Sequence, residues 1–139
     1  MFNFRTKVFV AVSLVAMSFI PYPSTITKEQ RVFVVDGRGR PVPNQVARSM
    51  WDDYTYEIHG IEWIRSDENG AVVIPEHKFW APLIYRIPRT LLADLMLMAH
   101  GSVGARGMVN IGSDSCSSEL YSYEPSQSLP QTIVLDCSQ

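Results

Sequence analysis

The chain of 139 residues is long enough for one domain of ordinary size, and its hydrophobic fraction of 46% suits a folded protein. Its formal net charge is −2 with the histidines neutral, and it contains no cluster of lysine and arginine. Because nucleic-acid-binding proteins and proteins that attach to anionic lipid rely on such clusters, the composition argues against both classes.

The first 24 residues have the pattern of an export signal. Arg5 and Lys7 form a short basic segment, and residues 8–20 form an uncharged apolar run. That run is shorter than the roughly 20 residues that a membrane-spanning helix needs, so a cleaved secretory signal over residues 1–24 fits it better. The cleavage site is weak, and an uncleaved inner-membrane anchor or a buried core strand are the alternatives. We expect a periplasmic or secreted protein.

The next part of the chain has the pattern of strands joined by tight turns. Residues 25–30 are predicted to be a linker, and residues 31–139 are predicted to form one β-domain. A first strand covers residues 30–36, because β-branched and aromatic side chains are enriched there. Gly37 to Pro41 form a turn, and a second strand lies within residues 42–51.

A β-hairpin is the clearest local prediction. Residues 57–66 alternate between apolar and polar side chains, with Gly60 leaving room for a bulge. Residues 67–70 read Asp-Glu-Asn-Gly, and an Asn-Gly pair suits the primed turns that match strand twist. Residues 71–74 then form the returning strand, which Pro75 ends.

Beyond Pro75 the pattern is weaker. Residues 79–87 predict a strand, and residues 89–99 predict a short amphipathic helix from leucines at helical spacing. A buried strand over residues 94–100 is the competing interpretation. Two further strands are predicted over residues 108–111 and 131–136.

Cys116 and Cys137 are the two cysteines of the chain. In an oxidising compartment such a pair predicts a disulfide, and closing a loop of about 20 residues contributes roughly 3 kcal/mol in the chain-entropy model. Two free thiols in a cytosolic protein are the alternative. A structural zinc site needs four ligands, so two cysteines alone do not predict such a site.

The segments at residues 34–51 (VVDGRGRPVPNQVARSMW) and 66–75 (SDENGAVVIP) resemble the carboxypeptidase-regulatory-like group of transthyretin-like β-sandwich domains. The departure from the family pattern is Pro43-Asn44, and the resemblance covers about a third of the chain. The matching positions are Asp36, Gly39, Pro41, Val42, Val46, Ser66, Asp67, Gly70 and Ile74.

The resemblance implies an all-β fold, a Greek-key antiparallel sandwich of about seven strands. It also implies an exported accessory module without peptidase activity, because these domains lack the catalytic zinc. Hydroxyisourate hydrolases share the fold but end in Tyr-Arg-Gly-Ser, whereas this chain ends Leu-Asp-Cys-Ser-Gln. The resemblance therefore does not support that hydrolase activity.

The sequence predicts no catalytic residue, metal ligand or cofactor. The three histidines are scattered over different predicted elements, at positions 59, 77 and 100. Asp52, Asp53 and Glu57 lack the alternating spacing of a calcium loop. The glycines at positions 101, 104 and 107 follow no clear strand and open no helix, so they are interpreted as turns. No Gly-x-Ser-x-Gly elbow nominates a nucleophile.

Trp51, Asp53, Tyr54 and Tyr56 are the candidate contact residues, because aromatic and acidic groups alternate in a predicted loop. Core packing of the aromatic side chains is the alternative interpretation. We expect a non-enzymatic module that contacts an unknown protein of the cell envelope, and that touches membrane only through an uncleaved N-terminal segment. A small-ligand or carbohydrate-binding domain using residues 51–56 is the second hypothesis, and a hydrolase with a non-motif site is the third.

Overall fold

A computed structural model describes residues 3–100, 104–112 and 116–136. Contacts between Cα atoms divide the chain into two compact units. The first unit contains Met1–Ser24 and Phe79–Ser102, and the second contains Thr25–Lys78 and Val103–Gln139. This division differs from the predicted leader, linker and single domain, because residues 79–102 group with the N-terminal segment.

The first unit contains two helices. Helix α1 covers Phe4–Ser18, and none of its residues is buried. Helix α2 covers Leu83–His100 and includes Pro88 near its beginning, where the missing N–H removes one helical hydrogen bond. Within the described residues, no helix is both long enough and apolar enough to cross a membrane. The predicted export signal stays a prediction.

The helix predicted over residues 89–99 is confirmed, but the strand predicted over residues 79–87 is wrong in its second half. The strand β6 covers His77–Pro82, and the chain turns into α2 at Leu83. Leucine, alanine and methionine favour helix over the whole segment, and a short apolar run alone does not separate strand from helix.

The linker predicted over residues 25–30 is instead largely strand. Strand β1 covers Pro21–Thr27 and pairs with β6 in a two-stranded sheet, and strand β2 already begins at Gln30. Ile26 and Thr27 are fully buried. The burial of these two β-branched side chains accounts for an ordered strand where the sequence looks polar and proline-rich.

The second unit is a β-sandwich. Its three-stranded sheet has the order β5–β2–β9, in which β2 pairs antiparallel with β5 and parallel with β9. Its four-stranded sheet has the order β4–β3–β7–β8 and is antiparallel throughout. The strands are β2 Gln30–Val35, β3 Val46–Asp53, β4 Ile58–Arg65, β5 Ala71–Ile74, β7 Ala105–Gly112, β8 Tyr121–Tyr123 and β9 Thr132–Val134.

Alternate residues of both sheets build the core. The three-stranded sheet contributes Val32, Val34, Val72, Ile74 and Ile133, all essentially inaccessible to solvent. The four-stranded sheet contributes Ala47, Val109, Ile111 and Tyr123. This inward alternation on two facing sheets confirms the predicted β-sandwich class.

Both predicted turns form, and they use the same local motif. The Oδ1 atom of Asp36 accepts hydrogen bonds from the backbone N–H groups of Arg38 and Arg40, each at 2.9 Å. In the same way, Oδ1 of Asp67 accepts from Asn69 and Ala71, each at 2.8 Å. In each turn the glycine three residues after the aspartate, Gly39 or Gly70, has a positive φ.

The hairpin predicted on either side of Asp67 is wrong in its strand pairing. Strand β4 pairs with β3, and β5 pairs with β2, so the turn carries the chain from one sheet to the other. The turn is also not primed, because the positive φ belongs to Gly70 and not to Asn69. The two hydrogen bonds that close it, from Gly70 N–H to Asp67 O and from Asp67 N–H to Ala71 O, fit a type I turn followed by a left-handed glycine.

Candidate functional site

The four candidate contact residues do not share one surface. Strand β3 places Trp51 and Asp53 on the side that faces the core, together with the buried Ser49. Tyr54 follows in the loop to β4 and is 51% exposed, whereas Tyr56 is half-buried. The loop therefore does not present the alternating aromatic and acidic surface that its sequence suggests.

Asp53 has a structural role in this loop. Its carboxylate is buried, and Oδ1 accepts a hydrogen bond from the Thr55 N–H at 2.9 Å. Burial raises the pKa of the Asp53 carboxyl group, whereas the backbone hydrogen bonds from Thr55 and Tyr56 lower it by a smaller amount. The Tyr54 N–H donates to the Gly104 carbonyl, which fixes the loop to the segment before β7.

Glycine and aromatic residues alternate in one row across the inner side of the four-stranded sheet. The register of the ladders brings Gly60, Trp51, Gly107 and Tyr123 side by side. The Trp51 indole covers Gly60, and the Tyr123 ring covers Gly107, in the space that a Cβ atom would occupy. Gly107 was predicted to be a turn residue, and that prediction is wrong, because it lies inside a strand where a side chain would collide with Tyr123.

The His77 imidazole stacks on the Trp51 indole of this row. Its ring centroid lies 4.6 Å from that of Trp51, with 24° between the planes. Its Nε2 lies 3.7 Å from Oε2 of Glu62, too far for a formed hydrogen bond. Burial lowers the pKa of the His77 imidazole, while the charge of Glu62 raises it by a smaller amount. The neutral imidazole is thus the form that the folded protein favours.

Three buried hydroxyl groups, those of Thr27, Ser49 and Tyr123, lie close together at the end of the row that Tyr123 occupies. Burial raises the pKa of Tyr123, and the nearby hydroxyl groups of Thr27 and Ser49 act on it in the opposite direction. None of these three oxygens has a hydrogen-bond partner among the described residues, and the same holds for Nε1 of Trp51. Such a buried polar cluster has hydrogen-bonding capacity for water or a neutral polar group.

His77 gives a testable pH dependence of stability. Because its folded pKa lies below the ordinary 6.5, the unfolded chain binds the proton more readily. The free energy of unfolding is then greatest above 6.5 and falls as the pH falls through 6.5 towards the folded pKa. We expect His77→Gln to flatten this slope and Glu62→Gln to steepen it, in urea unfolding measured on both sides of 6.5. A slope unchanged by His77→Gln would contradict the assignment.

The solvent side of the four-stranded sheet, here called the outer face, carries a different set of residues. Its middle row is apolar and consists of Ile61, Met50 and Met108, neighbours across three strands. Ile61 is 53% exposed and the adjacent Trp63 is 68% exposed. The flanking residues are Arg48, Asp52, His59, Arg65, Arg106 and Asn110.

Arginines are held against aromatic rings on the outer face. The Arg48 guanidinium lies 5.6 Å from the centroid of Trp63, and that of Arg106 lies 4.7 Å from the centroid of Tyr54. Arg106 also donates from Nε to Oδ1 of Asp52 at 3.0 Å and from Nη2 to the Tyr54 hydroxyl group. The hydrogen bond that Arg106 donates to the Asp52 carboxylate raises the pKa of Arg106. These contacts restrict the orientation of three exposed side chains, those of Arg48, Tyr54 and Trp63.

His77, Arg106 and Trp63 are not among the contact residues predicted from the sequence. The roles of Arg106 and Trp63 depend on the pairing of the strands, which places Arg106 opposite Asp52 and Trp63 opposite Arg48. The role of His77 depends on its stacking on Trp51. In the described part of the chain, no group of three or more histidine, cysteine or acidic side chains is arranged to hold a metal ion. The expected absence of metal ligands, cofactors and catalytic residues stays a prediction.

The predicted disulfide can be described at one end. Cys116 is disulfide-bonded and not a free thiol. Cys137 lies outside the described residues, as do Gly101 and the side chain of His100. The pairing of Cys116 with Cys137 therefore stays a prediction.

Comparison with known proteins gives one distant structural neighbour. No protein-family model matches the chain, and no curated protein matches it. The chain is similar to the crystal structure of 3-chlorocatechol 1,2-dioxygenase from Rhodococcus opacus 1CP, with a TM-score of 0.46 and 15% sequence identity. The similarity covers 92% of this chain and 77% of the dioxygenase chain.

Proposed function

We propose that this protein is a non-enzymatic β-sandwich module that binds a partner protein through its outer face. The observation that carries the proposal is the exposure of Trp63 and Ile61 on the outward side of β4, the end strand of the four-stranded sheet. Large side chains on a rigid sheet lose little conformational freedom on binding, and tryptophan is enriched among the residues that dominate binding energy.

The charge of the outer face indicates the chemistry of the partner. Arg48, Arg65 and Arg106 surround the apolar row, whereas Asp52 supplies the one carboxylate that these three strands direct to the outer face. The whole chain is slightly acidic, with a net charge of −2, so this face differs in sign from the average surface. The complementary partner is a protein surface with an apolar centre and a rim of aspartate and glutamate.

The proposed location is the cell envelope. Support comes from the basic and apolar pattern of residues 1–24 and from the disulfide-bonded state of Cys116, since disulfides persist in oxidising compartments. The resemblance to transthyretin-like accessory domains supports the same interpretation. The hypothesis of ligand binding by residues 51–56 receives less support, because Trp51 and Asp53 face inward.

The proposal is tested by capture of partners from an envelope extract on the immobilised full chain. We expect Trp63→Ala and Arg48→Glu each to reduce the capture of a specific partner about tenfold or more, as the loss of an interface anchor does. The Arg48→Glu effect should weaken at high salt.

The matched control is the corresponding pair on the other sheet. Arg31 lies 5.6 Å from the ring of Phe33, which is 42% exposed. Phe33→Ala removes a similar exposed cation–aromatic pair and should leave capture unchanged. Equal loss of capture with Phe33→Ala and Trp63→Ala would count against the outer face as the binding surface.

A further inference from the structure

Strand β4 is an edge strand with an open side. It forms the end of the four-stranded sheet and pairs with β3 along its whole length of eight residues. Among the described residues, its backbone makes no hydrogen bond to any other segment. Every β4 side chain is at least partly exposed, and the strand contains neither proline nor lysine, two residues that commonly block edge pairing.

The sequence of β4 is complementary to itself about Ile61. When a second copy of the strand lies antiparallel with Ile61 facing Ile61, residues equally distant from that position come to lie opposite each other. Trp63 then faces His59, and Ile64 faces Ile58. Arg65 reaches the level of the turn before the strand, where Glu57 has φ +57 and lies outside the ladder, so opposite charges come near each other at both ends.

The two-fold register centred on Glu62 is unfavourable. With its centre on Glu62, the strand would bring this carboxylate against its own copy and would place Arg65 opposite His59. Like charges directly opposite each other destabilise a strand pair. The pattern therefore favours the register centred on Ile61 over the one centred on Glu62, although both keep outer-face residues opposite outer-face residues.

We infer that two copies of this chain associate through β4 in an antiparallel, two-fold symmetric edge pair centred on Ile61. The association joins two four-stranded sheets into one continuous sheet and places two outer faces side by side. It uses the backbone edge of β4, and it goes beyond the proposed function because it holds whether or not the outer face binds another protein.

The test is sedimentation velocity of the full chain over a range of concentrations. We expect the wild type to sediment at twice the monomer mass. Ile61→Lys puts two ammonium groups at the two-fold axis, and we expect it to raise the dissociation constant about tenfold or more. Because Ile61 is 53% exposed, the variant should keep its fold, which circular dichroism checks. The control is Val73→Lys on β5, an exposed position on the edge of the other sheet, which should not change the mass.

A charge exchange tests the register itself. Arg65→Glu and Glu57→Arg should each weaken the dimer, and the double variant should restore it, because opposite charges meet again with reversed sign. Under oxidising conditions, Ile61→Cys should give a covalent dimer on a non-reducing gel, because the two copies of residue 61 lie opposite each other at a Cα distance that a disulfide can span. Val73→Cys lies on the other sheet and should not be cross-linked.

The inference is overturned if the wild type sediments as a monomer at every concentration, if Ile61→Lys leaves the mass unchanged, or if Val73→Cys is cross-linked as readily as Ile61→Cys. Arg48→Glu separates this inference from the proposed function. Arg48 lies on β3, away from the paired edge, so its replacement should reduce partner capture and leave the dimer mass unchanged.

Discussion

Replacement of Gly70 by alanine is expected to lower the free energy of unfolding by about 3 kcal/mol, the sum of two physical effects. Gly70 has φ +73, and a left-handed conformation costs an L-residue about 1–2 kcal/mol. A Cβ atom there would also lie 2.6 Å from the carbonyl oxygen of Val34, which is backbone and cannot rotate away. Val34 itself is held by its N–H bond to the Gly70 carbonyl and is fully buried.

The chain offers matched controls that separate these two effects. Gly39 occupies the equivalent position in the Asp36 turn with φ +77, but nothing lies within 4 Å of its Cβ position. Gly39→Ala should therefore cost only the conformational part, about 1–2 kcal/mol. Gly37 has neither a positive φ nor a close neighbour, and Gly37→Ala should change stability by less than about 0.5 kcal/mol.

Urea unfolding of the three variants measures the series. The expected order of loss is Gly70→Ala, then Gly39→Ala, then Gly37→Ala. Equal losses at Gly70 and Gly39 would show that the Val34 carbonyl moves aside freely, and would contradict the tight junction between this turn and the three-stranded sheet.

These turns also show how far local sequence determines the fold. In both, an aspartate and a glycine three residues later specify the hydrogen bonds without help from the rest of the chain. The pairing of the strands that follow is a property of the whole core. Strand β4 and strand β5 are adjacent along the chain, yet they belong to different sheets, and no signal within residues 57–74 distinguishes this from a hairpin.

The candidate site was less predictable than the turns. The pattern around Trp51 suggests an exposed loop, because alternation along one strand does not say which side faces the core. The partners that settle the orientation of Trp51 are Gly60 and His77, and His77 lies on a strand far away in sequence. A glycine inside a strand is also easily predicted to be a turn residue, because the aromatic ring that covers it can belong to another strand. This is the case for Gly107, which Tyr123 covers.

The second large effect is expected at Gly107. Gly107→Ala directs a methyl group into the Tyr123 ring, which is only 2% exposed and has little room to move. Forcing one carbon into a filled core costs about 1–3 kcal/mol, and the rigidity of the ring favours the upper part of that range. Gly60→Ala should cost less, because the Trp51 indole that it meets is only half-buried and can shift.

A double-mutant cycle identifies Tyr123 as the cause. Tyr123→Leu removes the ring, so Gly107→Ala should be tolerated in that background, with a coupling free energy of about 1 kcal/mol or more between the two sites. Tyr123→Phe keeps the ring and should not relieve the collision. Tyr121 lies opposite Val109 on the same pair of strands, and Tyr121→Leu should simply add to Gly107→Ala. If Tyr121→Leu rescued as well as Tyr123→Leu, the loss would reflect a general loosening of β8 and not the alternation of glycine and aromatic rings across the sheet.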